Sequence, residues 1–202
     1  VLIEGKTIID NYKKGYSGFI RNLLVMGVAG SGKPTLQECI GMYALGQGLS
    51  VIAVSLTAER ANQIGGVRAH KLFCFGVRKY IGAGKMAETA WVKLLTGPEN
   101  LEVIRRVDVL LWDEVLNCSD YFLHAVDMLF CTVKRNNRFM GGVLMIGTGT
   151  PGISLMSKTL KRHKRQTATQ RGKSSLLGKN RYNLVVFIFD SIMQPLEFYL
   201  RR

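Results

Sequence analysis

Gly27-Val-Ala-Gly-Ser-Gly-Lys-Pro-Thr35 is the stretch of sequence that decides the fold. It follows the pattern GxxxxGK[ST] except at the last position, where Pro34 replaces the hydroxyl residue. In this pattern the glycines let backbone N–H groups surround a phosphate, the lysine neutralises its charge, and the hydroxyl binds Mg²⁺. The loop therefore predicts a site for the phosphates of ATP, in which the placement of Mg²⁺ is in question. The predicted ATP contacts are Gly27, Ala29, Gly30, Ser31, Gly32, Lys33 and Thr35.

The segments on either side of this loop suit a strand and a helix. Residues 22–26 form a short apolar run typical of a buried strand, and residues 36–45 suit the helix that follows. Because proline is tolerated in the first turn of a helix, the geometry needed for nucleotide binding can survive Pro34. Thr35 carries a hydroxyl, but we expect its side chain to point elsewhere around the helix.

Strands and helices alternate along the rest of the first 150 residues. This alternation predicts a parallel sheet with helices on both faces. Residues 76–102 are helix-rich, with breaks at 82–84 and 97–98. Strands are predicted at 51–54, 107–112 and 143–146, and helices at 7–14, 57–64 and 121–133.

The third predicted strand ends in Asp113 and Glu114, the form of a Walker B segment. In such a segment Asp113 would help to hold the metal, and Glu114 would orient and deprotonate the attacking water. Taken alone, two acids at a strand end are commonly ordinary solvated carboxylates. Together with Lys33, about 80 residues earlier, they indicate a nucleotide-binding fold with Lys33, Asp113 and Glu114 as catalytic candidates.

Composition sets the limits of the domain organisation. A chain of 202 residues with 47% hydrophobic content suits one globular domain with a tail. No apolar run reaches the roughly 18 residues that span a bilayer, and no signal peptide pattern opens the chain, so we expect no membrane partner. The four cysteines show no CxxC pair, which argues against a zinc site or a disulfide framework. We expect an ATPase domain over 1–152 and a basic segment over 153–202, with a further strand near 184–189.

Charge is concentrated in the last third of the chain. Residues 1–127 hold 14 basic and 12 acidic residues, whereas residues 128–202 hold 14 basic and 2 acidic residues. A field of this strength attracts polyanions, most commonly nucleic acid, through counterion release. A solvated basic tail or a nuclear-import signal is the alternative interpretation.

Residues 55–76, SLTAERANQIGGVRAHKLFCFG, resemble a segment of the Pif-type and RecD-like DNA helicases of superfamily one. The family pattern is APTGxAAxxIGGxTIHSFFGxG. Asp113 and Glu114 fall where the family has DEISM, and residues 139–142 resemble the FGG before its next strand. The likeness covers about residues 5–152. The positions in register within the segment are Thr57, Ala61, Ile64, Gly65, Gly66, His70, Phe73 and Gly76.

This resemblance implies a RecA-like P-loop NTPase domain that binds ATP and single-stranded DNA or another nucleic acid. The resembling segment contacts DNA in the family, which implies DNA-binding roles for Thr57, His70, Lys71 and Phe73. Core packing is the alternative for His70 and Phe73. A motor of this class also needs a second RecA-like domain, which nothing after Gly152 matches, so the isolated chain is not expected to unwind DNA. The resemblance and the basic cluster at residues 161–165 favour the nucleus, with the mitochondrion as alternative.

Departures from the family pattern leave two functions open. Besides Pro34, Arg68 replaces the threonine of TIH, and Lys71 replaces the serine of HSF. The family continues after the fourth strand with GDxxQLPP, whereas Thr148 occupies the place of that acid here. The leading hypothesis is an ATP-dependent DNA helicase domain of the repair, recombination or telomere maintenance class. The second is a catalytically degenerate nucleic-acid-binding module, and a small-molecule kinase is disfavoured by the match at residues 57–76.

Overall fold

The computed structural model describes residues 1–15, 22–76 and 82–150, together with the backbone of residues 184–189. The described residues form one sheet with strand order β3-β2-β4-β5-β1-β6. The first five strands run parallel, and β6 pairs antiparallel with β1. The strands are β1 (Asn22–Gly27), β2 (Val51–Ser55), β3 (Val67–Arg68), β4 (Val109–Asp113), β5 (Leu144–Gly149) and β6 (Leu184–Phe189).

Helices connect these strands and confirm most of the predicted alternation. The predicted first helix begins five residues early, at Leu2. The predicted strand at 107–112 begins only at Val109, because Val107 still caps the preceding helix. The helices are α1 (Leu2–Lys13), α2 (Lys33–Gly46), α3 (Ala58–Gln63), α4 (Ala69–Leu72), α5 (Ala83–Thr96), α6 (Pro98–Arg106) and α7 (Asp120–Lys134), with short 3₁₀ turns at Val115–Asn117 and Phe139–Gly142.

A separate apolar core lies on each face of the sheet. Alternate residues of a strand point to opposite faces, so Leu110 and Trp112 of β4 join one core while Val109 and Leu111 join the other. The larger core packs against α5, α6 and α7, and the smaller one packs against α1 and α2. The prediction of a parallel sheet with helices on both faces is therefore confirmed.

The order of the strands decides which loops meet. Parallel strands end at the same edge of the sheet, and β5 lies between β1 and β4. Neighbouring strands are about 4.8 Å apart, so the loop after β1 and the acids after β4 begin about 10 Å from each other. The end of β5 lies between them. Within the described part of the chain, no helix has the length and apolar character needed to span a bilayer.

Candidate nucleotide site

The loop between β1 and α2 forms an open bend. Gly30 and Gly32 have φ of 75° and 78°, in the left-handed region that favours glycine. The N–H of Ser31 donates to the carbonyl of Val28 at 3.3 Å and closes the turn. The residues around the bend are mostly exposed. Because the first N–H groups of α2 have no partner inside the helix, they are available to an anion that enters the bend.

Pro34 removes two contacts from this bend. It is exposed in the first turn of α2, directly after Lys33. First, Pro34 lacks the side-chain hydroxyl that the sequence pattern has at this position. Second, proline lacks the backbone N–H that any other residue would add to the free donors at the start of the helix. A phosphate in the bend therefore loses one backbone donor, and a metal ion loses one ligand.

Lys33 holds its charge inside the loop. The side chain is 3% exposed, and its ammonium donates to the carbonyls of Gly27 at 2.9 Å and Val28 at 3.0 Å. Burial lowers the pKa of Lys33, while the carboxylates of Glu114 and Asp113 act to raise it and the Arg60 guanidinium acts to lower it. An ammonium has three donors, so one remains for a phosphate.

Asp113, the last residue of β4, is a fully buried acid. Its Oδ1 accepts a hydrogen bond from the Thr148 hydroxyl at 2.8 Å. Its Oδ2 lies 3.2 Å from Nε of Arg60, yet it has no hydrogen-bond donor among the described residues. Arg60 and Asp113 thus form an ion pair, but the Nε–H of Arg60 does not point at the carboxylate oxygen.

Glu114 adopts the left-handed backbone conformation, with φ of 53° and ψ of 45°. This conformation is uncommon for a residue with a side chain, and it turns the chain sharply at the end of β4. Thr150 fixes the carboxylate: its hydroxyl donates to Oε1 at 2.8 Å and its N–H donates to Oε2 at 2.9 Å. The Glu114 N–H donates to the Thr148 hydroxyl at 3.3 Å. The ends of β4 and β5 are therefore joined by one network of hydrogen bonds.

Arg60 joins this network from α3. The Thr57 side chain caps that helix by accepting from the Arg60 N–H at 3.3 Å. One turn of helix brings the guanidinium to Asp113 and also to Glu114, whose Oε1 lies 3.7 Å from an outer Arg60 nitrogen. A cleft of about 430 Å³ opens beside it, lined by Ser55, Leu56, Thr57, Arg60, Glu114, Asn117 and Thr150.

Sequence reasoning missed Arg60, although a signal was present. In the helicase pattern APTGxAAxxIGGxTIHSFFGxG, alanine stands at the position of Arg60. The contact itself depends on how α3 packs against the end of β4, which no local pattern reveals.

The residues present do not fit the Mg²⁺ ion that the loop pattern implies. Mg²⁺ requires near-octahedral oxygen ligands and binds through carboxylates, hydroxyls and water. Pro34 offers no oxygen from its side chain, and Oδ1 of Asp113 already accepts from Thr148. The positive guanidinium of Arg60 lies beside Oδ2, where it repels a second cation. Asp113 as a metal ligand therefore stays a prediction, which the pairing of its carboxylate with Arg60 and Thr148 opposes.

Comparison with known families decides the kinship of the chain. The PIF1-like helicase family matches residues 4–176, most of the chain. The chain belongs to the PIF1-like helicase family. The match runs beyond Gly152, where the likeness read from the sequence ended. Comparison with curated protein sequences gives no match.

The solved structures that resemble the chain include Pif1 helicases from two organisms. The Pif1 helicase from Candida albicans is 25% identical, with a TM-score of 0.57 over 70% of this chain and 31% of that one. Bacteroides Pif1 bound to single-stranded DNA is 19% identical, with a TM-score of 0.52 over 85% and 37%. Bacteroides Pif1 with ADP-AlF4 is 18% identical, with a TM-score of 0.53 over 85% and 36%. The chain thus has the fold of a Pif1 RecA-like domain and spans about a third of the length of these proteins.

The residues predicted to bind DNA do not share one environment. Thr57 and Lys71 are exposed. The His70 ring lies 4.8 Å from that of Phe122, and its buried Nδ1 has no hydrogen-bond partner within the described part of the chain. Burial, followed by the charge of Arg68, lowers the pKa of His70. Phe73 is fully buried, with its ring centroid 5.6 Å from that of Phe130. A base-stacking role for Phe73 is therefore corrected to core packing, because the ring has no free face for a base.

Proposed function

We propose that this chain is a nucleotide-binding RecA-like domain of a PIF1-like helicase, with ATP at the loop of residues 27–35. The observation that carries the proposal is the open loop at the same sheet edge as Asp113 and Glu114, with only β5 between them. The relative with ADP-AlF4 supports it, because that Pif1 protein holds a nucleotide analogue.

The loop would bind phosphates through its backbone and one ammonium. The N–H groups of Gly30, Gly32, Lys33 and Thr35 are the available donors around the bend. Lys33 adds a positive charge that burial within the loop keeps in a region of low dielectric, where its attraction for a phosphate is stronger than in water. These donors and this charge all belong to residues of the loop itself.

We further propose that single-stranded DNA binds at the exposed surface near Thr57 and Lys71. The basic residues of 128–202 would strengthen that binding by counterion release. The relative bound to single-stranded DNA supports this part. In an intact parent protein a second RecA-like domain would complete the motor, in repair, recombination or telomere maintenance, with the nucleus as the proposed location and the mitochondrion as alternative.

A nucleic-acid-binding module without turnover is the second candidate. One observation favours it: Thr150 holds both carboxylate oxygens of Glu114, the residue expected to activate water. The lack of a hydroxyl at Pro34 also favours a module without turnover, because phosphoryl transfer relies on positioned charge around the phosphates.

ATP hydrolysis measured with and without single-stranded DNA separates the two candidates. The variants are Lys33→Ala, Pro34→Ser and, as a matched control that removes an exposed lysine from α5, Lys85→Ala. Turnover that DNA stimulates and Lys33→Ala abolishes supports the motor domain. Nucleotide binding without turnover, again lost only in Lys33→Ala, supports the binding module. Unaltered nucleotide binding in Lys33→Ala, or none in any variant, overturns the proposed site.

A further inference from the structure

We propose that the Arg60 guanidinium replaces the divalent cation at the acidic pair, so that this chain binds the phosphates of a nucleoside di- or triphosphate without a metal ion. The proposal rests on the nucleotide site proposed above. Its claim about the metal can nevertheless be tested without any nucleotide.

Arg60 forms an ion pair with each of the two acids. Its Nε lies 3.2 Å from Asp113, whose side chain is fully buried, and an outer nitrogen lies 3.7 Å from Glu114. A buried carboxylate is stable as an anion only when a countercharge or hydrogen bonds compensate for its lost hydration. The structure supplies that countercharge from the protein itself.

Among the described residues of this site, the charges balance without a metal ion. Lys33 and Arg60 contribute two positive charges, and Asp113 and Glu114 contribute two negative charges. The neighbouring loop adds no metal ligand, because Pro34 has no side-chain oxygen. The acids, the cations and the loop therefore all suit a site without a metal ion.

Thr148 completes the arrangement. Its hydroxyl donates to Asp113 at 2.8 Å and accepts from the Glu114 N–H at 3.3 Å, which a hydroxyl can do at the same time. An acid at this position would place a second carboxylate against the buried one, with no cation between them. A neutral donor is thus the kind of residue that suits a site without a metal.

Arg60 is also positioned to meet a ligand. Its side chain is 39% exposed and lines the cleft of about 430 Å³ beside the acids. A guanidinium has five N–H donors in a planar fork, which suits phosphate oxygens. The donors that face the cleft can therefore bind an anionic ligand while Nε remains beside Asp113.

Binding of Mn²⁺ to the nucleotide-free chain tests the claim, measured by electron paramagnetic resonance titration. We expect the unmodified chain to bind Mn²⁺ at least about tenfold more weakly than Arg60→Ala, because the guanidinium repels a divalent cation at the acidic pair. Arg68→Ala, which removes an exposed arginine from β3, and Arg60→Lys, which keeps the charge, should both behave like the unmodified chain. Equal Mn²⁺ affinity in the unmodified chain and in folded Arg60→Ala overturns the proposal.

A second measurement uses only the unmodified chain, in case Arg60→Ala does not fold. Its affinity for fluorescent ADP should be the same within about twofold in EDTA and in Mg²⁺, because the protein already supplies the cation. Tightening by Mg²⁺ of about tenfold or more overturns the proposal. If the chain binds no ADP in either buffer, the proposed nucleotide site fails, and the Mn²⁺ titration still decides the role of Arg60.

Discussion

Replacing Pro34 with alanine should tighten nucleotide binding. The substitution restores a backbone N–H in the first turn of α2, where the free donors of the helix face the bend. A hydrogen bond to a charged group contributes about 1.5–3 kcal/mol. Because Pro34 is exposed and a phosphate there keeps some hydration, we take the lower end of this range, which corresponds to about tenfold in affinity.

Fluorescence anisotropy with a labelled ADP in EDTA measures this change, beside a thermal melt that checks folding. Alanine and proline are both accepted in a first helical turn, so the stability should change by no more than about 0.5 kcal/mol. Pro34→Ser restores the same N–H and adds a hydroxyl. Because Arg60 holds the cation position, we expect Pro34→Ser to match Pro34→Ala in EDTA and in Mg²⁺ alike.

The two variants separate the backbone donor from the hydroxyl. A folded Pro34→Ala that binds ADP no tighter than the unmodified chain would refute the role of the first-turn amide. A Pro34→Ser that gains affinity only in Mg²⁺ would show that a metal enters the site despite Arg60.

Three further predictions concern the fold around the site. Gly66→Ala should lower the free energy of unfolding, measured in urea, by about 2 kcal/mol or more, because its Cβ would lie 2.4 Å from the Ala53 carbonyl oxygen. Gly46→Ala is the control and should not destabilise the fold, because the space around Gly46 is open. Thr148→Val should lower stability by about 1–3 kcal/mol because it removes the hydrogen bond to the buried Asp113, whereas Thr132→Val, on an exposed helix surface, should be close to neutral. An equal loss in the two threonine variants would contradict this. Burial lowers the pKa of His70 below its usual 6.5, so the unfolded chain binds a proton more readily than the folded chain. The free energy of unfolding should therefore fall as pH drops from 6.5 towards the pKa of the folded state. The same dependence on pH in His70→Phe would contradict this prediction.

Short apolar runs in the sequence were enough to predict most strands of the sheet. The apolar runs that became β1, β2, β4 and β5 are buried strands because both faces of the sheet are covered by helices. The strand β3 was missed, since its two residues, Val67 and Arg68, are too few to show an alternation.

The candidate site was predictable where a motif defines it and hidden where packing defines it. The loop and the acidic pair could be identified because glycine, lysine and paired carboxylates at that spacing have a specific chemistry. The contact of Arg60 with Asp113 depends on the approach of α3 to the end of β4, and the contacts of Thr148 and Thr150 depend on β5 lying beside β4. Contacts between segments so distant in sequence depend on tertiary structure, which a local sequence pattern does not predict.

Backbone amide shifts in a nitrogen-edited NMR titration test the central claim most directly. On addition of ADP in EDTA, the amides of Gly30, Gly32, Lys33 and Thr35 should shift most strongly, and the shifts should vanish in Lys33→Ala. The prediction is contradicted if these loop amides do not shift, or if they shift only after Mg²⁺ is added. Either result would rule out a phosphate site built from the loop and the chain's own cations.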